Sequence, residues 1–233
     1  MAEALRMSES AAWSGAAAEA ASGLYALRPL TASRCDILAL ELDRALARQR
    51  NAEPRGSRPN SMHEYGFALE GPEFRPLLQD LLEFVVRPLA AAYYPHIGGE
   101  TLDSLYGFVA EYARGSDEEL GFHVDDSEVT LNLCIDGEFD GSELYFQGAR
   151  CEQHRDTPAG SHEDFEYAHV PGVAILHAGK HRHGVHPLRR GRRRNLILWC
   201  RSTSYRAALP RAAHCTDWCG VVERRAEHER RRG

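Results

Sequence analysis

The apolar residues of the first hundred positions follow the period of an α-helix. Between about Ser33 and Arg50 they recur at i, i+4, i+7 and i+8, so they share one helical face. Those residues are Leu38, Leu42, Ala45 and Leu46. Ser33 is placed to cap this helix at its N-terminus. A second apolar face predicts a helix from about Pro72 to Tyr94, which Pro88 should kink because it lacks a backbone N–H.

From Leu102 onwards the hydrophobic period shortens to two, which is typical of β-strands. The predicted strands cover residues 105–112, 128–135, 143–147, 167–170, 173–177, 182–186 and 193–201, besides the short segment that carries His123. Turns are predicted at 137–142 and 187–191. Helices followed by closely spaced short strands predict a mainly β fold, in which N-terminal helices support an antiparallel sandwich or barrel.

Composition divides the chain into four regions. Residues 1–23 predict a disordered leader, 24–100 an N-terminal helical support region, 101–206 the β core and 207–233 a C-terminal basic tail. Residues 189–233 carry 13 basic and 4 acidic groups, whereas residues 1–188 carry 15 and 30. The tail from Glu223 to Arg232 is best interpreted as a solvated end, with a nuclear address or a nucleic-acid contact as the less favoured alternative.

The overall composition indicates a soluble globular protein, with 43% apolar and 27% charged residues and a net charge of −6. No apolar run approaches the roughly 20 residues of a membrane span. The start lacks a basic region followed by an apolar core, so no secretory signal is expected, and Glu3, Glu9 and Glu19 argue against an organelle transit peptide. Six cysteines without a disulfide-framework spacing favour a reducing compartment, the cytosol or the nucleus.

Candidate chemistry begins with His123 and Asp125, which are separated by one residue. In a strand, side chains at i and i+2 point to the same face. Two histidines and one carboxylate form the facial triad of non-haem Fe(II) oxygenases, so a third ligand is expected from a distant strand. An H-x-D pair alone is a weak signal, because a histidine close to an aspartate is common in any protein.

The third ligand is expected from a downstream group of four histidines, His177, His181, His183 and His186. His183 is favoured because Arg193 follows ten residues later, after Pro187 and Gly191. A hairpin of this length would bring Arg193 back alongside His183, with both side chains in one cavity. Since a guanidinium binds carboxylates bidentately, a five-carbon keto-diacid could chelate the metal at one end and meet Arg193 at the other.

The neighbouring polar residues have simpler interpretations. His177 is expected to pack at a core edge, and His181 and His186 to be mere neighbours of the ligand. Asp126 should point away from Asp125, and solvated positions are expected for Arg189, Arg190, Arg192 and Arg194. Cys215 and Cys219 could form half of a metal site, but no second half is evident in the sequence, so free thiols are the favoured interpretation.

Five segments carry a family resemblance: residues 58–62, 121–132, 139–146, 170–177 and 183–199. Over roughly residues 25–220, the chain resembles the 2-oxoglutarate and Fe(II)-dependent dioxygenases of the prolyl/lysyl hydroxylase type. It is most similar to the eukaryotic group called 2-oxoglutarate and iron-dependent oxygenase domain-containing proteins. One departure is Gly141-Ser142, where many relatives have Gly-Gly; this change affects a turn and not the metal site.

The resemblance implies a double-stranded β-helix, a jelly-roll-like sandwich of two sheets. It implies that His123, Asp125 and His183 bind Fe(II) and are the catalytic centre, and that Arg193 binds the distal carboxylate of 2-oxoglutarate. Tyr112 lies where relatives place a tyrosine that also contacts this cosubstrate, and Asn132 and Tyr145 could line the pocket. The implied cofactors are Fe(II), 2-oxoglutarate and O2, with ascorbate as an additional candidate.

The implied reaction is hydroxylation of an unactivated C–H bond, with release of succinate and CO2. Relatives act mostly on protein prolyl or lysyl side chains, so a protein or peptide substrate is expected. The polar loop 148–166 is acidic at Glu163, Asp164 and Glu166, which mildly favours a basic peptide, although an ordinary exposed loop is the stronger interpretation. Two rivals stay open: a non-catalytic, metal-stabilised binding module with a basic tail, and a Zn(II) hydrolase, which would not need Arg193.

Overall fold

The structure, a computed structural model, describes residues 17–52, 58–209, 215 and 218–221, with side chains described for all of these except residues 49–52. The strands within these residues are β1 Ala18–Ala21, β2 Leu24–Leu27, β3 Gly66–Ala68, β4 Ser104–Ala113, β5 Leu120–His123, β6 Val129–Asp136, β7 Phe139–Gly141, β8 Leu144–Ala149, β9 Asp164–Tyr167, β10 Ala174–Ala178, β11 His181–Val185 and β12 Leu188–Arg201.

The helices follow the same order along the chain. They are α1 Ala32–Ala52, α2 Arg75–Leu81, α3 Arg87–Tyr93 and α4 Thr203–Ala208, with a π-helical turn at Leu82–Val86 and 3₁₀ turns at Pro95–Ile97, Gly99–Thr101 and Glu152–His154. None of the helices in the described ranges is long and apolar enough to cross a bilayer.

Two antiparallel sheets build the core. The larger sheet has the order β1-β2-β10-β6-β12-β4-β3, with β7 paired to β12, and the smaller sheet has the order β5-β11-β8-β9. Side chains from both sheets meet in one apolar cluster, in which Phe108 and Ile197 of the larger sheet join Phe146 and Val185 of the smaller one. The predicted class, a mainly β fold with supporting helices, is therefore confirmed.

Alternation along each strand of the larger sheet separates two environments. On β12, Leu196 and Leu198 belong to the core beneath the helices, whereas Ile197 and Trp199 lie between the sheets. This follows from the period of two, which sends neighbouring side chains to opposite faces. The interior of the sandwich is therefore lined by every second residue of β4, β6, β10 and β12, and polar residues at those positions share one space.

Helix α1 packs on the outer face of the larger sheet. Its apolar face buries Leu38 and Leu42 completely, as predicted. The predicted cap was two residues too late, because the hydroxyl of Thr31 accepts a 3.4 Å bond from the backbone N–H of Arg34. Arg194 also departs from its predicted solvated position: it is buried, and it pairs with Asp136 and with Asp43 on α1.

The second predicted helix extends from Arg75 to Tyr93, with a single π-helical turn at Leu82–Val86. The N–H of Arg87 bonds the carbonyl of Leu82, five residues earlier, immediately before Pro88. Pro88 has no N–H to continue the α-helical ladder, so the predicted irregularity takes the form of a π-turn. Leu77, Leu81 and Val85 nevertheless stay buried on one face.

Several predicted boundaries were wrong. Residues 18–21 of the predicted leader form β1, and β2 and β3 lie within the predicted helical region but pair into the larger sheet. The predicted turn at 187–191 is shorter, because β12 already begins at Leu188 and carries Gly191 inside it at φ 87°. Residues 1–16 of the leader and the basic tail from Glu223 to Arg232 lie outside the described residues.

Candidate metal centre and carboxylate pocket

The smaller sheet brings His123 and His183 together. β5 ends at His123, and its register pairs His123 directly with His183 on β11. Asp125 lies beyond the end of β5, contrary to the simple strand geometry that predicted the pair, and its backbone N–H is held by the carbonyl of Gly179 at 2.9 Å. The predicted triad is thus assembled by two strands and the segment that follows the first of them.

The three side chains converge on one point. Oδ1 of Asp125 lies 3.6 Å from Nε2 of His123 and 3.7 Å from Nε2 of His183. Each histidine turns its Nδ1 to a backbone carbonyl at 2.8 Å, His123 to Gly121 and His183 to His181. Because a carbonyl only accepts, Nδ1 carries the proton in both rings and both Nε2 lone pairs face the shared point.

The protonation states suit a divalent metal ion. Burial lowers the pKa of His183 far below its ordinary value, so its imidazole is neutral. Burial raises the pKa of Asp125, but the neighbouring His183, His123 and His177 outweigh it, so this pKa lies well below the usual range. Neutral imidazoles and an ionised carboxylate are the forms in which these groups bind metals.

The second oxygen of Asp125 is already engaged. Oδ2 accepts a 2.7 Å hydrogen bond from the hydroxyl of Thr130, which itself lies 2.7 Å from the hydroxyl of Ser127. Since Thr130 donates to the carboxylate, Ser127 must donate to Thr130. These two hydrogen bonds fix the carboxylate so that Oδ1 is the oxygen directed toward the two imidazoles.

His177 lies closer to the centre than the sequence suggested. It is fully buried, its ring centroid is 4.7 Å from that of His183, and its Nε2 is 3.9 Å from Oδ2 of Asp125. Its Nδ1 donates to the carbonyl of Ala178 at 3.0 Å, and among the described residues its Nε2 has no hydrogen-bond partner. The ring therefore packs behind the triad, while His186 is half-buried and pairs with Glu166 at 3.1 Å.

Arg193 lies between the sheets as a buried cation. It is fully buried, and one amino group, Nη1, donates to the carbonyl of Ser142. Nε and Nη2 are also buried but meet no hydrogen-bond acceptor in the described part of the chain. The guanidinium carbon stands 4.6 Å from the centre of the Tyr112 ring. Two adjacent unsatisfied N–H groups on a buried guanidinium form a receptor for a carboxylate.

The predicted route that brings Arg193 into place was wrong. β11 and β12 do not form a hairpin: β11 belongs to the smaller sheet, whereas β12 pairs with β4 and β6 in the larger one. Arg193 lies opposite Tyr112 of β4 in the register. His183 and Arg193 are therefore contributed by different sheets, which face the same interior.

The hydroxyl of Tyr112 belongs to a hydrogen-bond network that the sequence did not reveal. Nδ1 of His63 lies 3.1 Å from Oδ1 of Asn60, an acceptor, so Nδ1 carries the proton and Nε2 accepts from the Tyr112 hydroxyl at 3.1 Å. Burial raises the pKa of Tyr112 to about 12, so the phenol is neutral. The predicted contact between Tyr112 and a cosubstrate stays a prediction, because the hydroxyl proton is given to His63.

His63 lies between the two parts of the site. Its pKa is lowered to about 4, chiefly by burial and further by the nearby His123 and Arg193, while Asp125 opposes the shift. No strand or helix pattern marked this residue, which precedes β3 in a polar stretch. The Arg58–Met62 segment that contributed to the family resemblance ends directly before it.

The remaining wall of the interior is polar. The amide of Asn195 donates to Oδ1 of Asn132 at 2.5 Å and lies 3.1 Å from Nδ1 of His169. Asn132 was a predicted lining residue, whereas Asn195 and His169 were missed. The alternation that places Ile197 and Trp199 inside also places Asn195 and Arg193 inside, so the β12 pattern held this signal. Tyr145 instead lies by the rings of Phe122 and His186.

The three predicted acidic residues of the long loop differ in their surroundings. Glu163 pairs with Arg150 at 2.6 Å, whereas Asp164 and Glu166 are exposed; Asp164 accepts from the amide of Gln147 at 3.0 Å, and Glu166 lies beside His186. Exposed acidic charge therefore remains at two of the three positions, and the preference for a basic peptide stays a prediction. Asp126, as predicted, turns away from the triad and pairs with Arg201 at 3.0 Å.

The residues present fit both implied groups. Two neutral imidazole nitrogens and one carboxylate oxygen are the donor set of non-haem Fe(II) oxygenases. These three ligands leave the other positions of an octahedral metal ion open. The buried Nε and Nη2 groups of Arg193 offer two donors that suit a carboxylate. A fold of two facing antiparallel sheets with this centre between them defines the class of 2-oxoglutarate and Fe(II)-dependent oxygenases.

Comparison with solved structures supports the fold. A Pseudomonas putida prolyl-4-hydroxylase superimposes with a TM-score of 0.52 at 18% identity, covering 78% of this chain and 93% of that chain. A prolyl hydroxylase from Trichoplax adhaerens, in complex with a hypoxia inducible factor oxygen degradation domain peptide fragment, gives 0.53 at 14% identity, covering 82% and 88%. The predicted jelly-roll core is confirmed.

Sequence comparison supplies the family. A model described as an OGFOD2-like domain matches residues 1–99. The 2-oxoglutarate and iron-dependent oxygenase domain-containing protein CP2 of Arabidopsis thaliana is 40% identical over 214 residues, which is 91% of this chain and 54% of that protein. Over most of its length the chain is similar to these 2-oxoglutarate and iron-dependent oxygenase domain-containing proteins, and it spans about half the length of the curated relatives that it matches.

Proposed function

We propose that this chain is an Fe(II)- and 2-oxoglutarate-dependent dioxygenase that hydroxylates an unactivated C–H bond and releases succinate and CO2. The observation that carries this proposal is the pairing of a converged His123–Asp125–His183 centre with a buried Arg193 that has two unsatisfied N–H groups. Neither feature alone specifies a keto-diacid, but together they match its two ends.

His123, Asp125 and His183 would hold the iron ion, and Arg193 would bind the far carboxylate of 2-oxoglutarate. Bound iron and 2-oxoglutarate together supply the oxidising power that activates O2 for attack on a C–H bond. The chain itself positions these groups and excludes water: Thr130 orients the carboxylate of Asp125, and the buried rings of His177 and Phe146 pack against His183.

The proposed substrate is a prolyl or lysyl side chain in an extended peptide. Phe122 and Val124, on either side of His123, are exposed apolar residues, at 47% and 36%. Within the described residues, β5 is an edge strand of the smaller sheet, so its outer backbone groups are available to pair with a peptide. The peptide complex of the T. adhaerens prolyl hydroxylase adds support by analogy of fold alone.

The test is turnover by the full chain. Purified protein with Fe(II), ascorbate and 2-oxoglutarate should release succinate slowly alone and faster with an accepted peptide from a histone, ribosomal and collagen-like panel. Mass spectrometry should then find one added oxygen atom on proline or lysine in that peptide. His123→Ala should abolish both signals, whereas the exposed His96→Ala should leave them at the wild-type level.

The two rivals give different results in the same assay. A non-catalytic binding module would show no Fe(II)-dependent binding of 2-oxoglutarate, and that outcome would reject the proposal. A Zn(II) hydrolase would be active with zinc, would not consume 2-oxoglutarate, and would leave the unsatisfied N–H groups of Arg193 without a purpose.

A further inference from the structure

A second group of metal-binding side chains lies apart from the iron centre. It consists of Cys151, His154, Cys215 and Cys219, whose ligand atoms all lie within 4.8 Å of one another. Cys151 and Cys219 are buried, and the other two are partly buried. The sequence showed Cys215 and Cys219 as half of a site; the second half is the Cys-x2-His pair more than sixty residues upstream.

The distances around His154 are those expected when one nitrogen and three sulfur atoms surround a single metal ion. Its Nδ1 lies 3.3 Å from Sγ of Cys151, 3.3 Å from Sγ of Cys215 and 3.6 Å from Sγ of Cys219. The lone pair of Nδ1 can accept a hydrogen bond from one thiol. Hydrogen bonding therefore accounts for one of the three short N···S distances and leaves the other two unexplained. With Zn–N near 2.0 Å and Zn–S near 2.3 Å, a tetrahedral site has N···S edges of about 3.5 Å.

We propose that Cys151, His154, Cys215 and Cys219 bind one structural zinc ion. Three sulfur ligands and one imidazole form a common tetrahedral zinc site, and four protein ligands leave no position for a substrate. Soft sulfur donors distinguish this site from the nitrogen and oxygen donors of the iron centre. None of the six cysteines is in a disulfide, so these thiols are available for a metal.

The surroundings hold the first pair of ligands in place. The backbone N–H of His154 bonds the carbonyl of Cys151 at 3.0 Å, within the 3₁₀ turn that follows β8. The Thr157 hydroxyl donates to the carbonyl of His154 at 2.7 Å and accepts from Nε of the buried Arg150 at 2.9 Å. Arg150 also makes two charged hydrogen bonds to Glu163, at 2.6 and 2.7 Å.

The second pair is held against the same scaffold. A Cβ on Gly220, next to Cys219, would lie 2.5 Å from a carboxylate oxygen of Glu163 and 2.6 Å from a nitrogen of Arg150. The backbone after Cys219 therefore packs directly on the Arg150–Glu163 pair, so a Cβ at position 220 would force that pair to shift. The zinc ion would join this C-terminal segment to the loop between β8 and β9.

Arg182 links the loop between β8 and β9 to the iron centre. Its guanidinium donates to the carbonyls of Arg155 and Thr157 in the same loop, at 3.0 and 2.7 Å. Arg182 stands on β11 beside His183. The zinc site would therefore support the strand that carries an iron ligand, without contacting the substrate itself.

The first experiment counts metals in the full chain, expressed with added zinc and purified without chelators. We expect one zinc ion per chain that persists in a His123→Ala/Asp125→Ala variant and is lost in a Cys151→Ser/Cys219→Ser variant. Cys35→Ser, a buried cysteine outside the group, is the matched control and should keep the zinc. Zinc that disappears with the iron ligands and persists without the cysteines would overturn the proposal.

Two further measurements guard against a variant that fails to fold. His154→Cys preserves four ligands and should retain zinc, whereas His154→Ala should bind it much more weakly. Wild-type protein loaded with Co(II) should show sulfur-to-cobalt charge transfer and the intense visible bands of a tetrahedral site. A weak octahedral spectrum alone, or a disulfide between two of these cysteines in freshly purified protein with well below one zinc, would refute the assignment.

Discussion

The hydroxyl of Thr130 donates a 2.7 Å hydrogen bond to Oδ2 of Asp125, the oxygen turned away from the two triad imidazoles. This bond decides which carboxylate oxygen is presented to a metal ion. Outer contacts of this kind typically contribute 10- to 100-fold to metal affinity.

Replacing this hydroxyl should weaken iron binding without unfolding the protein. Thr130→Val keeps the shape of the side chain but leaves Oδ2 of Asp125 without its donor, so we expect Fe(II) affinity to fall by about 10- to 100-fold. Thr130→Ser retains the hydroxyl and should bind iron almost as wild type. Isothermal titration with Fe(II) or Mn(II) under anaerobic conditions measures this, and equal affinities in the two variants would contradict the assigned role.

Removing the guanidinium of Arg193 should affect 2-oxoglutarate far more than iron. Truncating one partner of a buried charged pair costs about 2–5 kcal/mol, so Arg193→Gln should raise the KM for 2-oxoglutarate at least about 30-fold. The matched control is Arg192→Gln, since Arg192 is the adjacent arginine and its side chain is 45% exposed. Steady-state kinetics with varied 2-oxoglutarate gives the KM of each variant. An equal rise in KM for Arg193→Gln and Arg192→Gln would exclude a specific pocket at Arg193.

The Tyr112 hydroxyl should have a smaller effect that acts through its neighbours. Tyr112→Phe leaves Nε2 of His63 without its donor and removes the phenol beside Arg193, so we expect a 2- to 12-fold rise in the KM for 2-oxoglutarate, in line with about 0.5–1.5 kcal/mol for one hydrogen bond. Tyr106→Phe is the control on the same strand, because the Tyr106 hydroxyl bonds the carbonyl of Pro59. A loss as large as that of Arg193→Gln would indicate direct binding of the cosubstrate.

Acid should destabilise the metal-free protein through its buried histidines. Burial lowers the pKa of His63 to about 4, so the unfolded chain, with an ordinary histidine pKa near 6.5, takes up the proton first as the pH falls. The contribution of the neutral His63 to the free energy of unfolding is fully present above pH 6.5 and is lost between about pH 6.5 and 4. Between pH 7.5 and 5, His63 alone should account for about 2 kcal/mol of lost stability.

His63→Gln tests this assignment. Urea unfolding of the metal-free variant at several pH values should show a shallower loss of stability than wild type below pH 6.5. The exposed His96→Gln should leave the wild-type slope unchanged. A His63→Gln slope equal to that of wild type would place the acid sensitivity elsewhere, for example at His169, whose pKa burial also lowers far below the ordinary value.

The sequence by itself determined the main helices, most strands of the β core and the chemistry of the site residues. The period of two in β4 and the buried stripe of α1 follow directly from side-chain geometry, and both were confirmed. His123, Asp125 and His183 were identified in combination because a metal needs this donor set, and the structure brings them together. Arg193 followed from its spacing to His183, although the hairpin imagined between them was wrong.

Only the tertiary structure decided which distant residues meet. His63 precedes β3 with no periodic neighbours, so nothing local indicated that its ring would bond Tyr112, 49 residues away. Arg194 appeared to be one more charge in a basic run, yet the pairing of β12 with β6 buries it against Asp136.

The cysteine group shows the same limit most clearly. Cys151 and His154 are close in sequence, as are Cys215 and Cys219, but the two pairs are joined only by the docking of the C-terminal segment on Arg150 and Glu163. Sequence patterns report periodicity and local spacing, because these depend on neighbouring residues. Contacts between segments depend on how whole sheets and loops pack, so they become visible only in the folded chain.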